Sequence, residues 1–195
     1  MASVVLISVA AVLTAVCGYQ SGRWSGHQAM YYNVANADRI RASEEDDRAN
    51  VLTAVDVALF LQYVDAVDAG NAPKAQFIYA RLRPEMKTAM EAWLATKPRL
   101  NPKAPSSPFV MRQYSLATKA EAKRLDAVGG ANFSQAQEAN RHADDFLLLT
   151  VIFAGVSFLG GISTKMVYPR HAILVSIGVI GLIYGAVRLV ELPFL

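Results

Sequence analysis

Three long apolar runs dominate the pattern of hydrophobic and polar positions along this chain. The first opens the sequence, where residues 2–19 carry no charged side chain, and the other two fall within the last fifty residues. An α-helix rises about 1.5 Å per residue, so runs of this length can cross a hydrocarbon core about 30 Å thick. The pattern predicts three transmembrane helices, over residues 2–22, 144–163 and 171–192. A cleaved signal peptide is the alternative for the first run, but its start lacks the usual Lys or Arg.

The segment between the first two runs, residues 23–143, is polar and rich in helix-forming residues. No Gly or Pro occurs from residue 27 to residue 69, which predicts that the first helix continues far beyond the apolar run, with an interruption possible near Gly22 and Gly26. Asp56 falls within an apolar stripe of that helix, and a buried carboxylate must find a partner. We therefore expect an ion pair between Asp56 and a base from the second half of the segment.

Apolar residues of the same helix fall on two sides, so we expect packing on both sides. One side carries Leu52, Val55, Leu59, Phe60, Tyr63 and Val67. The other side carries Val57, Leu61 and Val64.

The rest of the segment predicts a helical return towards the membrane. Helices are expected over residues 74–82 and 85–96, and Pro84 either kinks one helix or begins the second. Four prolines make residues 97–108 a loop, which we expect to be held to the surface. A further helix over residues 115–145 feeds into the second span. The predicted fold class is all-α, with three transmembrane helices and an extramembrane antiparallel helical stalk.

The charges of the segment are separated along the chain. From Asp38 to Asp68 there are eight acids and three bases, a net charge of −5, and from Lys74 to Arg124 there are eleven bases and three acids, a net charge of +8. The pattern favours an acidic helix packed beside a basic one, and the alternative is a basic face for anionic lipid headgroups. The whole chain has a net charge of only +3, which excludes nucleic acid as an expected partner.

The short loop between the last two runs predicts the orientation in the membrane. Lys165 and Arg170 lie there without an acid, and positive short loops face the cytoplasm. The expected location is a bacterial inner membrane, with multiple passes and residues 23–143 in the periplasm. Arg23 and Arg141 argue the other way, but long domains follow the charge rule weakly.

Small residues at helical spacing within the spans predict close helix contacts, either inside the chain or in self-association. The candidate packing residues are Gly18, Gly22, Ser157, Gly161, Gly178, Gly181 and Gly185. Aromatic and basic residues at the ends of the runs are typical of membrane interfaces. The candidate interface residues are Tyr19, Arg23, Trp24, Lys165 and Arg170.

Few residues suggest chemistry. Glu138, His142 and Asp145 share one helix face at the edge of the second span, a spacing that can bind a divalent cation, although a solvated helix face is the plainer reading. The sequence has no nucleophile elbow, phosphate-binding Gly loop or paired-Cys site, and it has one cysteine, Cys17. We therefore expect no enzyme activity and no cofactor.

Several stretches resemble a family of uncharacterised small bacterial inner-membrane proteins, and together they cover most of the chain. They are GYQSGRWSG at 18–26, RLRPEM at 81–86, AWLATKP at 92–98, NPKAP at 101–105, PF at 108–109 and ANRHADDFLLLTVIFA at 139–154. The resemblance implies three spans with a helical insert between the first and second. It implies no activity.

These patterns predict a non-enzymatic accessory or scaffold protein of the membrane. Its expected partners are the lipid bilayer and a membrane protein of a larger assembly, or a second copy of the chain. One alternative is a homo-oligomeric channel or transport component, although the spans hold few polar residues. The other alternative is a membrane-bound metal-binding sensor.

Overall fold

A computed structural model describes residues 2–195, and the described chain is helical with no strand. It contains five α-helices and one turn of 3₁₀-helix. They are α1 (Ala2–Asp68), α2 (Ala72–Arg81), α3 (Pro84–Ala95), the 3₁₀ turn (Pro108–Val110), α4 (Ala117–Ser163) and α5 (Arg170–Glu191). Helices α1, α4 and α5 are long and apolar enough to cross a membrane. The all-α prediction with three candidate spans is confirmed.

The boundaries of the helices follow local signals in the sequence. The side chain of Asn71 caps α2, because its Oδ1 accepts a hydrogen bond from the backbone N–H of Lys74 at 3.1 Å. Pro84 begins α3, so the second of the two predicted roles for this proline is confirmed. The interruption near Gly22 and Gly26 does not occur, since α1 is continuous there. A glycine costs a helix only about 1 kcal/mol, and no proline occurs between residues 2 and 72 to end this helix.

The chain divides into two compact units, and α1 and α4 contribute to both. The three-helix unit comprises the chain up to Ala35 together with Gly130–Leu195. Its core contains Phe146 and Phe153, both fully buried, and also Cys17, Leu149 and Leu189. In this unit the Oγ of Ser163 lies 2.9 Å from the Oγ of Ser3, so the end of α4 lies beside the start of α1.

The inserted unit is Asn36–Gly129. Here α2, α3 and the 3₁₀ turn pack on one side of α1, around the buried side chains of Leu82, Met86 and Met90. Lys119 of α4 contacts Asp46 of α1 at 2.5 Å.

The second predicted side of α1 is only partly packed in this unit. Of its three apolar residues, Leu61 is exposed, whereas Val57 and Val64 are partly buried. On the first side, Leu59, Phe60 and Tyr63 contact the core, although Val55 is exposed.

Candidate functional site: an apolar groove in the inserted unit

A buried ionic contact lies within the inserted unit. Asp56 is fully buried, and its two carboxylate oxygens accept hydrogen bonds from Nη2 and Nε of Arg83 at 2.5 and 3.2 Å. The hydroxyl of Tyr114 lies 2.9 Å from Asp56 Oδ2 and 3.3 Å from Thr53 Oγ1. The prediction that Asp56 pairs with a base from the second half of the segment is confirmed.

The surroundings of Arg83 and Tyr114 raise the pKa of both side chains. The hydrogen bond to Asp56 raises the pKa of Arg83 further above its already high ordinary value. Burial is the main cause that raises the pKa of the Tyr114 phenol. Arg83 and Tyr114 therefore stay protonated at neutral pH and remain donors. Through Asp56 they join α1 to the start of α3 and to the segment before α4.

Aromatic rings connect α1 and Tyr114 with the Pro-rich loop. Phe60 of α1 meets Trp93 and Phe109 edge-on, with ring centroids 5.4 and 5.6 Å apart. Phe109 in turn meets Tyr114 at 5.1 Å. The indole N–H of Trp93 donates to the carbonyl of Pro105 at 2.7 Å. These contacts place the loop on the helices, as predicted for a loop held to the surface.

The beginning of the loop is fixed by its own hydrogen bonds. Lys97 has φ of 52°, the left-handed conformation that commonly ends a helix and is more often taken by glycine. Asn101 Nδ2 donates to the carbonyl of Thr96 at 3.3 Å, and Arg99 forms an ion pair with Asp68 at the end of α1. The loop therefore has a defined position beside α1 and α3.

An open apolar groove lies between α1, α2, the end of α3 and this loop. It consists of two adjoining depressions, of about 440 and 520 Å³, which share Tyr63, Val67 and Leu94. The smaller is also lined by Gly70, Ala72, Ala75, Gln76 and Tyr79. The larger is also lined by Val64, Asp68, Trp93, Lys97, Pro98, Arg99 and Leu100. Volumes of this order are typical of binding pockets in proteins.

Positive charge lies beside the larger depression, where Lys97 and Arg99 are part of the lining. They belong to an acid-free stretch, residues 92–120, in which Lys103 and Arg112 are also exposed. Arg99 is paired with Asp68, whereas Lys97 and Lys103 have no ion pair among residues 2–195. The acidic segment pairs with the basic one in the three contacts Asp56–Arg83, Asp68–Arg99 and Asp46–Lys119, although only Lys119 is a base within a helix. These contacts leave the loop with unpaired positive charge.

The candidate metal ligands are not brought together. No group of three His, Cys, Asp or Glu side chains that could hold a metal ion exists within residues 2–195, so Glu138, His142 and Asp145 form no such site. The ring of His142 packs instead against Trp24, with centroids 4.6 Å apart. Its Nδ1 is buried without a hydrogen-bond partner in the described chain.

The candidate packing glycines fall into two groups. A methyl group added at Gly185 would lie 2.6 Å from Phe153 Cε1, one at Gly178 would lie 2.7 Å from Leu6 Cδ2, and one at Gly181 would lie 3.0 Å from Val156 Cγ2. These three glycines therefore allow close helix contacts. Among residues 2–195, nothing lies within 4 Å of the same position at Gly18, Gly22 and Gly161, so no neighbouring side chain packs against these three at that position.

Two features next to these candidates were missed. Gly160, not Gly161, faces α1, since a methyl group there would lie 2.7 Å from Ile7 Cγ1. The two glycines are adjacent, and spacing alone did not indicate which one faces inward. Ser157, the other candidate on α4, has a buried Oγ without a hydrogen-bond partner in the described chain.

The candidate interface residues Tyr19 and Arg23 contact each other, with Arg23 Nη1 3.3 Å from the Tyr19 hydroxyl. Trp24 donates its indole N–H to the carbonyl of Pro193 at 3.0 Å. Lys165 and Arg170 are exposed.

A contact at the other end of the three-helix unit was not predicted. The side-chain amide of Gln20 accepts a hydrogen bond from the backbone N–H of Leu195 at 3.1 Å and donates one to its carbonyl at 3.2 Å. Sequence gave no signal for it, because the partners are far apart along the chain.

Comparison of the chain with protein-family models, with curated proteins and with solved structures found no match. Any functional conclusion therefore depends on the residues themselves.

Proposed function

We propose that this protein is a non-enzymatic accessory or scaffold protein of a membrane, which anchors a partner-binding helical unit to the bilayer. The observation that carries the proposal is the groove around Tyr63, Val67 and Leu94, combined with three helices that are apolar enough to cross a membrane. An open apolar surface with fixed walls is typical of a binding site for another molecule. The partner in this proposal is a protein of a larger membrane assembly.

The structural details of the inserted unit support a binding role. Its ionic contact at Asp56 is occupied by Arg83 and Tyr114, so no carboxylate there is available as a catalytic base. The same contact holds the elements that form the walls of the groove. The arrangement of the inserted unit therefore favours binding at the groove over catalysis.

Isolation from native membranes tests the accessory role. The full chain, extracted in a mild detergent and passed through size-exclusion chromatography, is expected to elute as a stoichiometric complex with at least one other membrane protein. A chain that elutes as a lone monomer, with no co-purifying protein at comparable abundance, would contradict the proposal. A chain that forms only a homo-oligomer would assign the role of partner to a second copy.

We further propose a bacterial inner membrane, with the inserted unit in the periplasm. Exposed Lys165 in the short loop and exposed Arg170 at the first position of α5 support this orientation, since positive short connections stay in the cytoplasm. The resemblance to small bacterial inner-membrane proteins supports the choice of membrane.

Single introduced cysteines test the orientation, because the native Cys17 is buried. Ser106→Cys in the Pro-rich loop should react with a membrane-impermeant maleimide in intact cells. The matched variant Val167→Cys, at a highly exposed position in the short loop, should react only after the inner membrane is opened. The reverse pattern would place the inserted unit in the cytoplasm.

A further inference from the structure

We propose that the groove of the inserted unit binds an acidic segment of a partner protein that carries bulky apolar side chains. This inference rests on the proposed function and specifies the chemistry of the partner and the surface that it contacts. Charge complementarity and the shape of the groove carry it.

The walls of the groove favour apolar side chains. Tyr63, Val67 and Leu94 lie between the two depressions, and Ala72 and Ala75 extend the apolar lining on one side. Two adjoining depressions of about 440 and 520 Å³ can each receive a large side chain from one continuous segment. Burial of such side chains favours binding, because it removes apolar surface from water.

The rim of the larger depression carries unpaired positive charge at Lys97. Lys97 lines the larger depression and Lys103 follows in the same loop, and both are exposed without an ion pair among residues 2–195. The only carboxylate in the lining, Asp68, is already paired with Arg99. A segment with Asp or Glu beside its apolar residues would be attracted to this rim, whereas a basic segment would be repelled.

The groove is formed before the segment binds. Trp93 holds the loop through the carbonyl of Pro105, and Arg99 holds it through Asp68. Binding therefore need not pay the entropy of ordering the loop, which otherwise reduces affinity. Anionic lipid headgroups would also be attracted to Lys97 and Lys103, but they would leave the concave apolar lining at Leu94 and Val67 unused.

A random peptide library displayed on phage, selected on the detergent-solubilised full chain, tests the inference. We expect the enriched peptides to combine Asp or Glu with Leu, Ile, Phe, Tyr or Trp. Leu94→Glu, inside the groove, should weaken binding of these peptides by at least about tenfold, a change of about 1.4 kcal/mol. The matched control Leu61→Glu makes the same substitution at an exposed position of α1 outside the groove and should leave binding unchanged.

Two further variants extend the test. Leu100→Glu lies in the larger depression at a position that is 82% exposed, so it tests the groove even where Leu94→Glu fails to fold. Lys97→Glu combined with Lys103→Glu should weaken binding of the acidic peptides and reduce its dependence on salt, because the attraction is electrostatic.

The inference is overturned by any of three results. They are failure to enrich peptides, enrichment of neutral or basic ones, and equal binding to the Leu94→Glu and Leu61→Glu variants. Binding of anionic phosphatidylglycerol vesicles that requires Lys97 and Lys103, without enriched peptides, would assign the loop to lipid.

The native complex separates this inference from the proposed function. A complex from native membranes that persists with Leu94→Glu and Leu100→Glu would leave the accessory role standing and remove the groove from it. Enriched acidic peptides without any native complex would support the groove as a binding site but contradict the accessory role.

Discussion

The carboxylate of Asp56 is fully buried and is held by the guanidinium of Arg83, with Nη2 and Nε 2.5 and 3.2 Å from its two oxygens. Because Asp56 lies on α1 and Arg83 immediately precedes α3, the contact joins two parts of the inserted unit that are 27 residues apart along the chain. A buried ion pair contributes little relative to apolar residues of the same shape, but the loss of one partner leaves an unpaired buried charge. Removal of Arg83 should therefore lower the free energy of unfolding.

We expect Arg83→Met to lower the free energy of unfolding of the inserted unit by about 3 kcal/mol, since Asp56 is then left without its cation. The measurement is pulse proteolysis of the full chain in urea. The matched control is Arg99→Met, which breaks the exposed pair with Asp68 and should cost less than about 1 kcal/mol. Equal costs for the two variants would show that burial of Asp56 does not matter.

Gly185 should not tolerate a side chain, because a methyl group there would lie 2.6 and 2.7 Å from ring atoms of Phe153. We expect Gly185→Ala to lower the stability of the three-helix unit by about 2 kcal/mol, the usual cost of overpacking. Unfolding in increasing SDS, followed by circular dichroism, measures it. Gly161→Ala is the control, since its methyl group would meet nothing within 4 Å, and it should be at least as stable as the native chain.

Much of the helical architecture could be predicted from the sequence, because local signals determine it. The apolar runs predicted the three candidate spans, and the helices predicted over residues 74–82 and 85–96 correspond to α2 and α3. The partner type for Asp56 also followed from its position in an apolar stripe, since a buried carboxylate needs a cation.

The groove could not be predicted, because it depends on which side of α1 the later helices occupy. Apolar residues on both sides of α1 gave no preference, and only the structure shows that Tyr63 and Val67 face α2 while Leu61 stays exposed. The choice between Gly160 and Gly161 failed for a similar reason, since neighbouring small residues give the same spacing signal. Tertiary contacts settled both.

The hydrogen bond from Trp93 to the carbonyl of Pro105 should restrain the Pro-rich loop. Trp93→Phe keeps an aromatic ring but removes this donor, and a hydrogen bond of this kind contributes about 1 kcal/mol. We expect trypsin to cleave the variant after Arg99 and Lys103 about fivefold faster than the native chain, as measured by mass spectrometry of the detergent-solubilised protein.

Trp24→Phe is the control for this comparison. It removes a similar indole donor from the carbonyl of Pro193 in the three-helix unit and should leave cleavage of the loop unchanged. Equal acceleration by both substitutions would show that the loop responds to general destabilisation and not to its own hydrogen bond.

The exposed contact between Lys119 and Asp46 should affect the titration of the Asp46 carboxyl group. The hydrogen bond from Lys119 is the main cause that holds the pKa of Asp46 below its ordinary value. Because the folded-state pKa is lowered, the contact stabilises the chain above the unfolded-state pKa, and this contribution is lost as the pH falls through the folded-state pKa. We expect Lys119→Ala to raise the pKa of Asp46 towards its ordinary value, as measured by carboxyl ¹³C NMR across acidic pH. Glu121 is the internal control, since its own lowered pKa is caused mainly by Arg124 and should not change. An unchanged pKa of Asp46 would show that Lys119 does not lower it in solution.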